Sequence, residues 1–259
     1  MSFDFPHASQ NQIRRWTRLQ NAKFRREEGL FPAEGVKVVE ELLRSDWTVE
    51  ALLVLPEKEP FWRRAVSAAG PVPVYSLERA WWKKISQDKE PEGLMAMVKR
   101  NEQPSLPEWI QNDVAGNLLV LHDVSNPQNL GALVRSACWF NFAGLVLGDN
   151  CVDWTHPKTV RSSMGAIFHI PVVAAGPDGQ LALAEIQNKY LLIGSDVREG
   201  VLPHPPGRKA ALLLGSESHG LPDEFLRQVD ERWRIPGGGQ AESLSLPQAA
   251  AIMMYEMSK

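Results

Sequence analysis

The sequence predicts an α/β protein: a smaller α/β segment followed by a larger one built on a largely parallel sheet with helices on both faces. Three observations predict it. From residue 30 onward, short apolar runs alternate with segments of helical periodicity. The alternation breaks once, over residues 101–116, where Gln103-Pro104-Ser105-Leu106-Pro107 has the composition of a linker. Beyond that break, the glycines, amides and hydroxyls gather directly after strand-like runs, where open parallel sheets bind their ligands.

These breaks divide the chain into residues 1–100, a linker over 101–116, and residues 117–259. In the first part, residues 11–28 form a polar, basic, helix-compatible segment. Leu30 to Gly35 reads as a short strand entering a turn, Val36–Leu43 as a helix, Trp47–Leu55 as a strand and Phe61–Ala69 as a helix. Val72–Tyr75 is a short strand between prolines, Leu77–Ile85 a helix and Leu94–Val98 a strand. In the second part, strands are expected at 118–122, 144–148, 170–174, 190–195, 211–215 and 232–236. Helices are expected at 130–141, 157–163, 179–188, 222–229 and 246–257. Strand alternating with helix requires crossover connections, hence parallel pairing.

Composition narrows the function. With 44% apolar and 23% charged residues, the chain can bury a core and is not a low-complexity polymer. A net charge of −3 means that any nucleic-acid contact must come from a local basic patch. Two cysteines, Cys138 and Cys151, cannot build a disulfide framework or a four-thiolate zinc site, and are expected to be structural. No metal site is expected, because the six histidines show no metal-ligand spacing. No secretory signal or membrane-length apolar run is evident, so a cytoplasmic location is expected.

Three loops carry the unusual residues. Asn126-Pro127-Gln128-Asn129-Leu130-Gly131-Ala132-Leu133-Val134-Arg135 follows the first strand of the second part. Gly215-Ser216-Glu217-Ser218-His219-Gly220-Leu221 follows Ala211–Leu214, and Gly237-Gly238-Gly239-Gln240-Ala241-Glu242-Ser243-Leu244-Ser245 follows Trp233–Pro236. None is a dinucleotide-binding G-x-G-x-x-G or a Walker A loop. A hydrolase elbow G-x-S-x-G is also missing, since Glu217 stands where its serine would be.

Taken together and in order, these loops resemble the three motifs of the SpoU-type (TrmH-like) RNA 2′-O-ribose methyltransferases of the SPOUT superfamily. The stretch from His156 to Phe168 is similar to the family's middle segment, so the likeness runs over residues 116–259. Lys23 to Gly35, with Pro91-Glu92-Gly93-Leu94-Met95-Ala96, resembles the ribosomal-protein-like RNA-binding domain often fused to these enzymes. The resemblance implies a deep trefoil knot in the carboxy-terminal sheet, a homodimer with the active site near its interface, and S-adenosylmethionine as methyl donor.

It also implies roles. Gly215, Ile235 and Leu244 fall where the family holds the cofactor, with Leu214, Glu217, Gly220 and Ser243 flanking them. Strand-end loops suit this, because they offer unpaired N–H and C=O groups and glycines allow close approach. Ordinary turn glycines and core aliphatics are the alternative. Asn129 and Arg135 match the first-motif asparagine and arginine; Asn129 could equally cap a helix. Arg135 would clamp a phosphate and stabilise a developing alkoxide, rather than act as a base, because a guanidinium stays protonated. Glu217 would hold the loop or neighbour substrate, or is a surface carboxylate. Ser245 stands where the family usually has asparagine, and Pro247 where it usually has serine. Serine reaches less far and makes fewer hydrogen bonds.

RNA contact falls to the basic amino-terminal stretch, Arg14, Arg15, Arg18, Lys23, Arg25 and Arg26, which also carries aromatics for stacking. A solvated helix face is the alternative. Trp81-Trp82-Lys83-Lys84 is a second candidate, although adjacent tryptophans more often serve packing. Three functions are therefore weighed: a tRNA or rRNA ribose 2′-O-methyltransferase, a non-catalytic RNA-binding or ribosome-assembly factor that has kept the fold, and a small-molecule α/β enzyme, which the basic arm and the RNA-like first domain disfavour.

Overall fold

The computed structural model describes residues 4–112, 114–175 and 183–259. They form two compact units, one of the chain up to Glu102 with Asp153–Phe168, the other of Gln103–Val152 with His169–Lys259.

In the first unit, α1 (Gln10–Arg18) and α2 (Ala22–Glu28) precede β1 (Leu30–Glu34), α3 (Val36–Leu42) and β2 (Val49–Val54). Then come α4 (Glu59–Ser67), β3 (Val74–Ser76), α5 (Arg79–Ile85) and β4 (Leu94–Lys99). The basic segment expected as one stretch is two helices because each has its own start signal. Ser9 and Gln12 form a reciprocal capping box on α1, and the Asn21 side chain accepts from the Lys23 N–H at 2.8 Å to open α2. The strands order as β1-β4-β2-β3, with β4 antiparallel to β1 and β2, and β3 parallel to β2. Pro32 is tolerated because β1 is an edge strand. Ile13 and Trp16 of α1, Trp82 and Ile85 of α5, and Leu53 and Met97 of the sheet share one core.

The second unit begins within the expected linker. Ser105 and Glu108 form another capping box, and α6 (Leu106–Gln111) buries Leu106, Trp109 and Ile110. A Cβ at Gly144 would lie 2.5 Å from the Trp109 ring, so this helix is docked rather than a loose tether. There follow β5 (Leu118–Leu121), α7 (Pro127–Trp139), β6 (Gly144–Leu147), α8 (Pro157–Ser162, part of the first unit) and β7 (Val172–Ala174). The chain ends with α9 (Leu183–Gln187), β8 (Leu191–Ser195), β9 (Ala210–Leu214), α10 (Asp223–Leu226), β10 (Glu231–Trp233) and α11 (Leu246–Met257). Residues 179–182 of the helix expected at 179–188 lie outside the described residues.

All six strands are parallel, in the order β10-β8-β9-β5-β6-β7. Both faces are buried, which is why the strands read as unbroken apolar runs. Leu118, Val120 and Leu213 join Trp109 and Ile186 of α6 and α9. The alternate residues Leu119, Leu121 and Leu212 are equally buried, and α7 and α11 pack against each other and against the sheet.

Arg25 corrects an expectation. It is 1% exposed and satisfied on every side. Its guanidinium donates to the Leu19 and Gln20 carbonyls (3.0 and 3.1 Å), to Thr155 Oγ1 (2.9 Å) and to Asp153 Oδ2 (2.8 Å). Nearby, the rings of Phe31, Trp47, Trp154 and Phe168 cluster with centroids 5.5–6.4 Å apart. Arg25 thus fastens Asp153–Phe168 into the first unit and cannot contact RNA.

Burial alone would raise the Asp153 pKa; Arg25 and the Thr155 hydrogen bonds outweigh it and leave the carboxyl below its ordinary value. Arg25→Ala, which strands a buried carboxylate, should cost about 3–5 kcal/mol in denaturant unfolding. The contribution of the pair should be complete above about pH 4 and fade as pH falls through the depressed Asp153 value, so the gap between wild type and Asp153→Asn should narrow in acid. Equal unfolding midpoints for wild type and Arg25→Ala at neutral pH would contradict this role.

Candidate active site

Parallel pairing puts every strand-to-helix turn of the second unit at one edge, so the three singled-out loops share it. The first follows β5. There the Asn126 side chain accepts from the Gln128 and Asn129 N–H groups (2.9 and 3.4 Å), and Pro127 occupies the first helical position of α7. The cap is therefore Asn126, not Asn129. Released from capping, Asn129 donates through Nδ2 to Glu217 Oε2 at 2.9 Å. This bond joins the first loop to the second.

The second loop is a tight turn. The Ser216 carbonyl accepts from Gly220 N–H at 2.9 Å, and Ser216 Oγ accepts from His219 N–H at 3.1 Å. A Cβ at Gly215 would sit 2.1 Å from the Gly220 carbonyl oxygen, and Gly220 has φ +67°. Both glycines are therefore required by the turn itself. Leu214 is fully buried in β9, so only its backbone can face a ligand. Glu217 is exposed apart from its bond to Asn129.

The third loop links β10 to α11. Among the described residues, no backbone carbonyl accepts an N–H from Ile235 to Leu244, although Pro236 has none to give. Leu244 is exposed, and Ile235 is half-buried. The loop thus offers unpaired donors beside apolar side chains, the chemistry that an adenine and an amino-acid tail require. Ser243 is exposed, and Ser245 is the N-cap residue of α11 without a capping side-chain bond, so its hydroxyl is uncommitted. Pro247 fits the first turn of that helix. The carboxyl ends of α7 and α11 meet at Phe140 and Tyr255, whose rings are 6.3 Å apart.

Arg135 does not join the Asn129–Glu217 pair. It stands six residues further along α7, about 9 Å along the helix axis. It is exposed and has no ion pair among the described residues. Trp139, one turn on, occupies the same helix face and is 83% exposed. Tyr255 and Ile252 of α11 are exposed as well. This open apolar surface was not anticipated, although the i, i+4 spacing of Arg135 and Trp139 signals it.

Other groups are structural. The His122 N–H donates to the Leu214 carbonyl and its ring packs edge-on against Phe225 at 4.6 Å. The His156 side chain caps α8. Burial pushes the Cys151 thiol up to about 11, which rules it out as a thiolate nucleophile. In the first unit, Arg14, Arg18, Lys23 and Arg26 are exposed, whereas Arg15 is held by Glu28 and Glu50 at 2.8 Å each.

Residues 116–255 match the SpoU rRNA Methylase family, and residues 10–96 match the MRM3-like substrate binding domain. The chain is 28% identical to the 23S rRNA (guanosine(2553)-2′-O)-methyltransferase RlmP of Bacillus subtilis, over 96% of this chain and 97% of that one. It is 27% identical to the 23S rRNA (uridine(2479)-2′-O)-methyltransferase of Streptomyces viridochromogenes, over 92% and 85%. The crystal structure of an AdoMet-bound rRNA methyltransferase from Sinorhizobium meliloti has the same fold, with a TM-score of 0.82 and 24% identity over 98% of this chain and 97% of that one. With its three loops in family order and more than half its length matched, the chain belongs to the SpoU rRNA methylase family.

Proposed function

We propose that this protein transfers a methyl group from S-adenosylmethionine to a ribose 2′-hydroxyl of ribosomal or transfer RNA. The observation that carries this reading is the Asn129–Glu217 hydrogen bond, which ties two of the three family loops into one wall. Gly215, Ile235 and Leu244 would hold the donor, with Leu214 and Gly220 contributing backbone and Glu217 and Ser243 flanking it. The fit rests on the unpaired N–H groups and apolar side chains of the third loop. When bound, S-adenosylmethionine supplies an electrophilic methyl on a sulfonium.

The chain's own residues then have to manage the 2′-hydroxyl, a poor nucleophile until its proton leaves. Arg135 clamps the neighbouring phosphate and stabilises negative charge developing on the oxygen. Asn129, with one amide hydrogen spent on Glu217, keeps a second for the substrate. Ser245 supplies the remaining polar contact. Arg14, Arg18, Lys23 and Arg26 would hold RNA phosphates.

The family knot belongs to this reading: the sheet order and the return of α11 onto α7 support a threaded carboxy-terminal segment. So does a homodimer, since Trp139, Ile252 and Tyr255 form an apolar face on adjacent helices and Arg135 borders it. No described helix is long and apolar enough to cross a membrane, and we place the protein in the cytoplasm with its RNA.

Purified protein should transfer labelled methyl groups to RNA, with the label recovered as 2′-O-methylnucleoside. Arg135→Ala should lower turnover about a hundredfold, and Arg135→Lys should restore part of it. If both bind RNA and donor normally and lose turnover equally, the bidentate clamp is wrong. RNA binding without any methyl transfer would favour the non-catalytic factor. Ser245→Asn should leave activity unchanged or raised; a collapse would mean that the third motif is built on a different plan. Trp139→Glu should convert a dimer to a monomer in sedimentation, and a monomeric wild type would remove the dimer from the account.

A further inference from the structure

We infer that α5 and the carboxyl end of α1 form one continuous RNA-docking surface, with Lys83, Lys84 and Trp81 as its unassigned half. The inference rests on the reading that the substrate is RNA and extends it to a helix that no part of that reading uses.

The first unit neutralises part of its charge internally and leaves several cations for contact. Some of its cations are matched: Arg15 to Glu28 and Glu50, Lys23 to Glu27, Arg25 to Asp153, Lys37 and Arg44 to Glu41, Arg63 to Glu59, and Arg161 to Asp88. Arg14 and Arg18 of α1, Arg26 of α2, and Lys83 and Lys84 of α5 are exposed and have no ion pair among the described residues. Other exposed cations of the unit, Arg64 and Lys99 included, likewise have no ion pair among the described residues, so what suits this group to an outside anion is its placement on neighbouring helices.

The helices bring these cations together. α1 packs against α5. Gln20, just past α1, donates to the Ile85 carbonyl at the end of α5 and accepts from Gln87 at 2.6 Å. Arg18 and Lys84 therefore flank one joint, two residues and one residue away from its hydrogen-bonded atoms. On each side of the joint the cation lies over an aromatic ring: the Arg18 guanidinium 3.9 Å from the Phe24 centroid, the Lys84 ammonium 4.3 Å from that of Trp81.

The tandem tryptophans divide their roles. Trp82 is 1% exposed and donates to the buried Glu34 at 3.1 Å, so it belongs to the core. Trp81 is only half-buried and keeps ring surface at the joint. Cations spread over three helices match successive phosphates of a chain rather than one small anion. The half-exposed rings and the exposed Gln87 amide suit unstacked bases, which an acidic protein segment does not offer.

The test is fluorescence anisotropy of the full-length protein with a labelled 20-nucleotide single-stranded RNA of mixed sequence, without methyl donor, across a salt series. Lys83→Glu combined with Lys84→Glu should weaken binding about tenfold or more and flatten the salt dependence by roughly 0.7 log units per lost phosphate contact. Lys83→Arg with Lys84→Arg should bind like wild type, and Trp81→Ala should lose affinity at an unchanged salt slope. Lys58→Glu with Arg64→Glu, on the α4 side, serves as the charge-matched control. If the α5 charge swap matches that control while wild type binds RNA, the docking surface is wrong and the RNA reading stands. If wild type binds no RNA, both fall. Tighter binding of a polyglutamate probe than of RNA would overturn the inference in favour of an acidic protein partner.

Discussion

Parallel pairing of six strands is the constraint on which the rest of this molecule depends. It sends every strand-to-helix turn of the second unit to one edge, so residues far apart in sequence meet there without special loop architecture. Asn129 and Glu217 are 88 positions apart yet hydrogen-bonded. Pairing of this kind also buries both faces of the sheet, leaving the edge loops as the natural place for uncommitted polar groups. Chemistry and stability are thereby separated: Leu214 secures the core, and Gly215, the next residue, opens the turn.

Within that edge the loops differ in what they have to spare. The second is consumed by its own geometry, with both glycines fixed by close approach or positive φ, and presents chiefly Glu217. The third is the reverse, with its N–H groups free of backbone partners and apolar side chains beside them. Under the proposed function, a rigid loop would position and an open loop would bind, a workable division for a reaction that needs orientation more than acid–base strength.

Much of this was legible in the sequence because the signals were local. Strands buried on both faces read as apolar runs, and polar residues after them stand out. What escaped depended on distant partners. Arg25 looks like its basic neighbours until Asp153, 128 residues away, is seen to neutralise it. Trp81 and Trp82 are indistinguishable until Glu34 claims only one of them. The helix inside the expected linker was a different case: Ser105-Leu106-Pro107-Glu108 carries a capping box in plain view, and Pro104 before the helix and Pro107 in its first turn hid it. Asn126 and Asn129 are both plausible caps by type, and only the backbone start at Pro127 decides between them.

The central claim is that the three edge loops share one methyl donor. A crystal structure of the protein grown with S-adenosylmethionine tests it most directly. The account predicts a single donor molecule touching the backbone at Gly215, the Ile235 region and Leu244 together. A donor held by one of these loops alone, or bound away from that edge, would contradict it.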